Sequence, residues 1–298
     1  MDIEKYKFFL KVVELGNLTK AAESMGYSQS GASHIIKTME NELGIRLLIR
    51  GHFGIRVASE AEPLLPAIRN LIANEEKIRD ISNSIAGLES GTLRIGAFVS
   101  ICLSWLPAVA GRFHTLYPNI KLEILSGSGS YEDMEQLLQE GFVDISFVRA
   151  PVINHFEVTP LANDPLHLVL PPNHPLVHVP EPIPYSMLSG HPMLMPTEGN
   201  NDDITRLFVQ HNFVPTIALT MQDDLSLLAL AENGLGYTIL PGLIVNARPH
   251  HAILRRLEDD PFRALGIASR FGEERSLHAT AFIRILQEYI SSQKEHST

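Results

Sequence analysis

The sequence predicts a small helical head closed by a β-hairpin, then one long helix, then an α/β body. Three observations carry that prediction. Two stretches of helical apolar spacing flank Gly26 between Asn17 and Glu40. A 4-3 apolar spacing runs through the stretch from about 62 to 88. From Gly91 onward, short apolar runs alternate with amphipathic segments, the pattern of α/β layers.

The bulk properties bound the rest. A chain of 298 residues suggests two or three domains. A 45% hydrophobic fraction with 19% charged residues fits a soluble globular protein with sizeable cores. No apolar run reaches the roughly 20 residues needed to span a bilayer, so no membrane partner is expected. Met1 to Lys5 carries mixed charge and no apolar signal core, which leads us to expect a cytoplasmic protein. The single cysteine, Cys102, excludes an internal disulfide and fits a reducing compartment. Net charge is −10, yet residues 1–58 hold eight Lys/Arg against six Asp/Glu, while the remainder holds 16 against 28. The acidic character is confined to the body, and a mildly basic head remains compatible with a polyanionic partner.

In the head, Asp2 opens a first helix whose apolar positions Ile3, Tyr6, Phe9, Leu10 and Val13 keep helical spacing until Gly16. Asn17 or Thr19 caps the second helix and Ser28 the third. Small Ala22 lets two helices touch, and Gly26 supplies the positive φ of a sharp turn. On the third helix Ala32, Ile35, Ile36, Met39 and Leu43 face inward. Ser28, Gln29, Ser30, Ser33, His34 and Lys37 are left for base edges and phosphates. Leu47 to Ile49 continues as a strand, and Arg50-Gly51-His52-Phe53-Gly54-Ile55-Arg56 reads as a hairpin wing. Arg50, His52 or Arg56 would reach phosphates or a minor groove from there.

The continuation Ser33-His34-Ile-Ile-Lys-Thr-Met-Glu-Asn-Glu-Leu-Gly-Ile-Arg-Leu-Leu-Ile-Arg50 resembles the LysR-type transcriptional regulator family, in a register that runs from about Phe8 to Arg50. Three positions depart from the family pattern: Gly31, where glycine costs roughly 1 kcal/mol relative to alanine inside a helix, His34 in place of arginine, and Leu48 in place of an aromatic. Past the wing, Val57 to Ala61 also differs. The resemblance implies a winged helix-turn-helix DNA-binding domain over 1–58 and a linker and dimerisation helix over 59–90. Leu64, Ile68, Leu71, Ile78 and Ile85 form that helix's stripe. Pro63 suits its first turn, and Pro66 would bend its entry. Pairing through the stripe would set two heads on an inverted repeat of double-stranded DNA.

In the body we expect strands at Leu93–Phe98, Ile120–Leu125, Val143–Val148, Leu166–Leu170, Met193–Met195, Ile217–Met221, Tyr237–Leu240 and Leu265–Ser269. Helices are expected at Leu103–Thr115, Tyr131–Glu140, Asp203–Asn212, Asp224–Asn233 and Ser276–Ser292. Pro171 to Leu176 and Ala231 to Pro241 extend the family resemblance, which implies an effector-binding domain over 91–298. It would resemble a type 2 periplasmic binding protein: an α/β body in two lobes, the first 91–162 plus 266–298 and the second 163–265.

Candidate effector contacts are Ser100 and Ile101 at an anion-ready helix start, Ser128 in the loop Ser126 to Ser130, Thr197 and Asn201 in a matching loop, and Arg149 beside a strand end. An anionic effector is therefore among the candidates. His174-x-x-x-His178 and His250-His251 lack the partners of a metal site, so neither metal nor cofactor is expected. Cys102 reads as packing filler, with redox sensing as the alternative. No Gly-x-Ser-x-Gly, phosphate-binding glycine loop or His-Glu-x-x-His is present, which argues against an enzyme. The expected function is sequence-specific, effector-modulated transcriptional regulation by a homodimer or homotetramer, with RNA polymerase as a further partner. The alternatives are a solute-binding, transport-associated protein and an enzyme on the same two-lobed scaffold.

Overall fold

A computed structural model of the chain describes residues 2–51, 54–85, 90–126, 130–152, 154–197 and 202–296. Two compact units divide it, residues 1–91 with 139–142, and residues 92–138 with 143–298.

The first unit opens with α1 (Ile3–Leu15), which Asp2 caps by accepting from the Glu4 N–H and Gly16 ends at φ 57°. Asn17 caps α2 (Leu18–Ser24) by accepting from the N–H groups of Thr19 and Lys20. Gly26 follows at φ 75°, and the Tyr27 N–H closes the turn on the Ala22 carbonyl at 2.9 Å. Ser28 caps α3 (Gln29–Leu43), accepting from the Gly31 N–H. Behind it, β1 (Leu48–Gly51) and β2 (Gly54–Val57) pair antiparallel as the wing. The Ile55 N–H donates to the Gly16 carbonyl at 2.9 Å, which ties the wing to the end of α1. A Cβ on Gly54 would stand 2.8 Å from that same carbonyl oxygen, so this position must be glycine.

Phe8, Phe9, Val12, Ala21, Ala22, Ala32, Ile36 and Met39 make the buried centre of this unit. Ala21 and Ala22 are fully enclosed there, as close helix contact requires. The linker helix α4 (Leu64–Ile85) spans 22 residues, about 33 Å at ~1.5 Å per residue. Pro63 precedes it rather than standing in its first turn. Pro66 is its third residue, where a missing N–H leaves no intrahelical bond unmade.

The second unit begins with β3 (Gly91–Gly96), α5 (Val99–Leu103), α6 (Trp105–Leu116), β4 (Ile120–Leu125), α7 (Tyr131–Gln139) and β5 (Ile145–Ala150). It continues with β6 (Phe156–Leu170), β7 (Pro192–Pro196), α8 (Asp202–Gln210), β8 (Thr216–Met221), α9 (Asp224–Glu232) and β9 (Thr238–Pro241). Two single-turn 3-10 helices, Pro175–His178 and Tyr185–Leu188, lie between β6 and β7, and the later elements are α10 (Gly242–Val245), β10 (Ile253–Arg255), β11 (Phe262–Arg270) and α11 (Leu277–His296).

Two lobes share these strands. In one, β4, β3, β5, β11 and the first half of β6 form a sheet covered by α6 and α11, over a core centred on Phe113, Phe147 and Phe282. In the other, the second half of β6 pairs with β9 and β10, β7 pairs parallel with β8, and Tyr185, Met193 and Tyr237 centre a separate core. The chain crosses between lobes on β6 and β11, which pair antiparallel from Phe156↔Arg270 to Pro165↔Phe262.

Three element boundaries differ from expectation. The helix expected from Leu103 begins at Trp105, since Leu103 closes the preceding α5 and Ser104 separates the two, with Pro107 fitting within the first turn of α6. The strand expected at Leu166 starts ten residues earlier, at Phe156. Pro160 is accommodated there beside a register shift at Leu265/Gly266, where a strand tolerates the missing N–H. Strand β10, only three residues long and ending on Arg255, has no counterpart among the expected strands.

Candidate nucleic-acid interface and effector cavity

Ser28, Gln29, Ser30, Ser33, His34 and Lys37 are all exposed on one face of α3, opposite buried Ala32, Ile36 and Met39. Arg56 is exposed on β2. The side chain of Arg50, and His52 altogether, lie outside the described residues. Charge pairing sorts the cations of the head. Lys5 pairs with Glu42, Lys7 with Glu4 and Glu75, and Lys11 with Glu14. Lys20, Lys37, Arg46 and Arg56 have no ion-pair partner among the described residues, and all four are exposed. The unpaired positive charge therefore sits on α2, α3 and the wing. Lys20 and Arg46 were not singled out from sequence, since only the pairing of the α1 lysines sets them apart. Glu40, in the Met-Glu step of the motif, is structural. It accepts from the Leu47 N–H at 2.9 Å and fixes the start of β1.

Of the linker stripe, Ile68 is buried and Leu64 packs against the head core, so the first turns of α4 complete the head. Leu71 and Ile78 are 42% and 71% exposed, a large apolar surface on an otherwise polar helix. The side chain of Ile85 lies outside the described residues.

In the second unit a cavity of about 500 Å³ opens between the lobes, lined by Phe98, Ser100 and Tyr131 from one and Ile204, Asp224 and Ile239 from the other. Arg263 of β11 forms its floor. The guanidinium is almost completely buried and donates to Asp164 from Nε at 2.9 Å, to Tyr131 Oη at 2.8 Å and to Ser100 Oγ at 2.8 Å. Asp164 also accepts from the Leu243 N–H at 3.0 Å, so one buried ion pair holds both crossing strands and the start of α10. Burial raises the Tyr131 pKa against the opposing Arg263 charge, with Asp203 and Asp224 adding to the rise, and the phenol stays protonated.

The effector candidates distribute unevenly. Ser100 lines the cavity, but its hydroxyl is engaged by Arg263. Ile101 is a correction: its side chain is fully buried in the core, and its N–H is satisfied by the Phe98 carbonyl, because α5 turns that face inward. Arg149 is also spoken for, at 3.3 Å from Asp203 and 3.4 Å from Asp202, an ion pair that joins the two lobes. Thr197 follows the end of β7 and borders a separate apolar depression near Val209 and Val214 instead of this cavity. Ser128 and Asn201 lie outside the described residues.

Residues that the sequence reading missed are Asp203, Asp223 and Asp224, all lining the cavity. Their signal was the Asp-Asp pair opening each of two helices. Asp224 has a pKa raised to about 6, first by desolvation and then by Asp223, with Arg263 opposing. Elsewhere the Cys102 thiol donates to the Ala97 carbonyl at 3.6 Å, and burial raises its pKa, so it rests as an inert thiol. His174 caps a single helical turn, accepting from the Leu176 N–H, and His250 contacts the Ala252 carbonyl.

Residues 3–62 match the family model described as bacterial regulatory helix-turn-helix protein, lysR family, and residues 86–291 match the LysR substrate binding domain. The chain belongs to the LysR family. As a LysR-type regulator it is a DNA-binding transcriptional regulator with an effector-binding domain, and its relatives are regulators, not transporters or enzymes. Similar proteins include the uncharacterized HTH-type regulator YvbU of Bacillus subtilis, 27% identical over 98% of this chain and 100% of that one. The Hca operon transcriptional activator HcaR of Escherichia coli is 27% identical over 98% and 99%. Among solved structures, a full-length OxyR variant from Pseudomonas aeruginosa superposes with TM-score 0.75 at 21% identity, over 97% of this chain and 94% of that one. Full-length CbnR in complex with its target DNA gives TM-score 0.69 at 20% identity, over 98% and 99%. Among the described residues of this LysR regulator, no helix is long and apolar enough to cross a membrane.

Proposed function

We propose that this regulator reads DNA with the exposed face of α3 and takes a small-molecule effector into the cavity between its lobes. Gln29, Ser30, Ser33 and His34 are the base-reading side chains of that proposal, and Ser28, Lys37, Arg50 and Arg56 the phosphate contacts. The observation that carries it is the charge sorting in the head. Cations on α1 are neutralised by neighbouring carboxylates, whereas Lys20, Lys37 and Arg56 on α2, α3 and the wing have no such partner among the described residues. Residues 1–58 would act as the reader, 59–90 as the linker and 91–298 as the effector domain, its lobes divided near 162 and 266. A second copy docked on Leu71 and Ile78, in a dimer or a dimer of dimers, would place two readers on an inverted repeat. RNA polymerase as a partner, and a cytoplasmic location, rest on the family alone.

The test compares two substitutions on α3. Gln29→Ala should relax base preference at one operator position, by about 1–3 kcal/mol of lost discrimination. Lys37→Ala should weaken all sequences equally and reduce the salt slope by about one. Equal, sequence-independent losses for both would contradict the assigned roles.

A further inference from the structure

We infer that the effector is a cation, a small organic amine with an apolar body, seated between the lobes with its charge on Asp224. This rests on reading the cavity as the effector site, and it replaces the anionic effector expected from sequence.

The charges around the cavity support it. Both candidate anion anchors are already committed. Arg263 is engaged by Asp164, Tyr131 and Ser100, and the two terminal nitrogens of Arg149 are ion-paired with Asp202 and Asp203, which leaves its Nε alone without a partner among the described residues. Among the described residues, three carboxylates line the space, with one guanidinium already neutralised by Asp164. Asp223 is occupied as the cap of α9, accepting from the Ser226 N–H at 2.9 Å and from the Ser226 hydroxyl. Its carboxylate thereby takes the N–H that an incoming anion would have sought. Asp224, by contrast, is half-buried at the cavity wall, where its surroundings desolvate the carboxyl and no hydrogen-bond partner stands among the described residues.

An ionised carboxylate desolvated without a donor is costly, and a protonated amine supplies both the donor and the compensating charge. The rest of the wall sets the remainder of the ligand. Leu166, Ile204, Ile239 and Leu240 give it an apolar lining, and about 500 Å³ suits a metabolite of modest size. The groups that face Asp224 are Asp223 before α9, Arg263 from β11, Tyr131 from α7 and Asp203 from α8. Only Arg263 among them is cationic, and its partner Asp164 offsets it.

Calorimetric titration of the full-length protein with benzylamine, putrescine and benzoate at fixed ionic strength tests this. Amines should bind and benzoate should not. Asp224→Asn should weaken amine binding on the order of tenfold or more. With the Asp224 pKa at about 6, wild-type affinity for an amine should fall roughly tenfold from about pH 8 to about pH 5, where the carboxylate is mostly protonated. Val99→Trp, at a half-exposed lining position, should abolish binding by filling the cavity, with circular dichroism melts verifying that each variant folds. Failure of both amines to bind, or equal amine affinity in Asp224→Asn, overturns the charge assignment. Binding of any probe that survives Val99→Trp overturns the cavity itself as the site.

Discussion

Arg263 and Asp164 show how much a single residue pair can hold. Both side chains are 2% exposed, and their bond joins the two strands on which the chain passes between lobes. Removing one partner leaves the other as an uncompensated buried charge. Arg263→Met should therefore destabilise the protein by about 3–5 kcal/mol in chemical denaturation, whereas an exposed pair such as Arg256–Asp260 should be worth little. A loss under about 1 kcal/mol would show that Asp164 is compensated in some other way. Asp224 behaves in the opposite sense. Its folded pKa lies above its unfolded value, so its contribution to stability is lost as pH rises from about 4 through about 6. Asp224→Asn should accordingly raise the thermal midpoint of the unliganded protein near neutral pH while weakening its amine complex. A lowered midpoint at that pH would contradict the sign assigned to this carboxylate. Neither the Arg263 pair nor Asp224 was legible in the sequence. Arg263 and Asp164 stand 99 positions apart, and the desolvation of Asp224 depends on walls contributed by several separate elements.

At the scale of elements, legibility followed locality. The caps Ser28 and Asn17, the turn at Gly26 and the inward stripe of α3 depend on neighbours within four residues, and each stands where local chemistry places it. Strand β6 was half hidden, since Pro160 and Pro165 break the apolar alternation that marks a strand, and only pairing with β11 holds that stretch extended. The break between α5 and α6 was hidden too, although Pro107 carried its signal. The linker helix mixes two roles. Leu64, Ile68 and Ile72 complete the head, whereas Leu71 and Ile78 remain exposed on a helix too polar to need them there. Ile78→Asp should hence leave the head folded and shift the protein toward monomer, read by sedimentation velocity at micromolar concentration. Unchanged mass with full dimer content would remove the second half of α4 from the interface.

For the whole molecule, regulation requires that a ligand favour one arrangement of the lobes over another, by as much as its affinity differs between them. Two features set that balance. The buried Arg263 network holds the crossing strands as a fixed floor, and the Arg149 pair with Asp202 and Asp203 links the lobes at the rim. An amine drawn to Asp224 and Asp203 would compete with Arg149 for the second of these carboxylates, which couples occupancy of the cavity to the link between lobes. The reader end must respond in the same currency, as affinity for DNA. Salt-dependent binding of the full-length protein to DNA from upstream of its own gene, against a shuffled fragment of equal length, measures that end most directly. The expected result is tighter binding of the upstream fragment at moderate salt. Its log affinity should fall linearly with log salt concentration, with a slope smaller by about one in Lys37→Ala. Equal affinity for both fragments, or a slope unmoved by Lys37→Ala, would contradict DNA reading by the exposed face of α3.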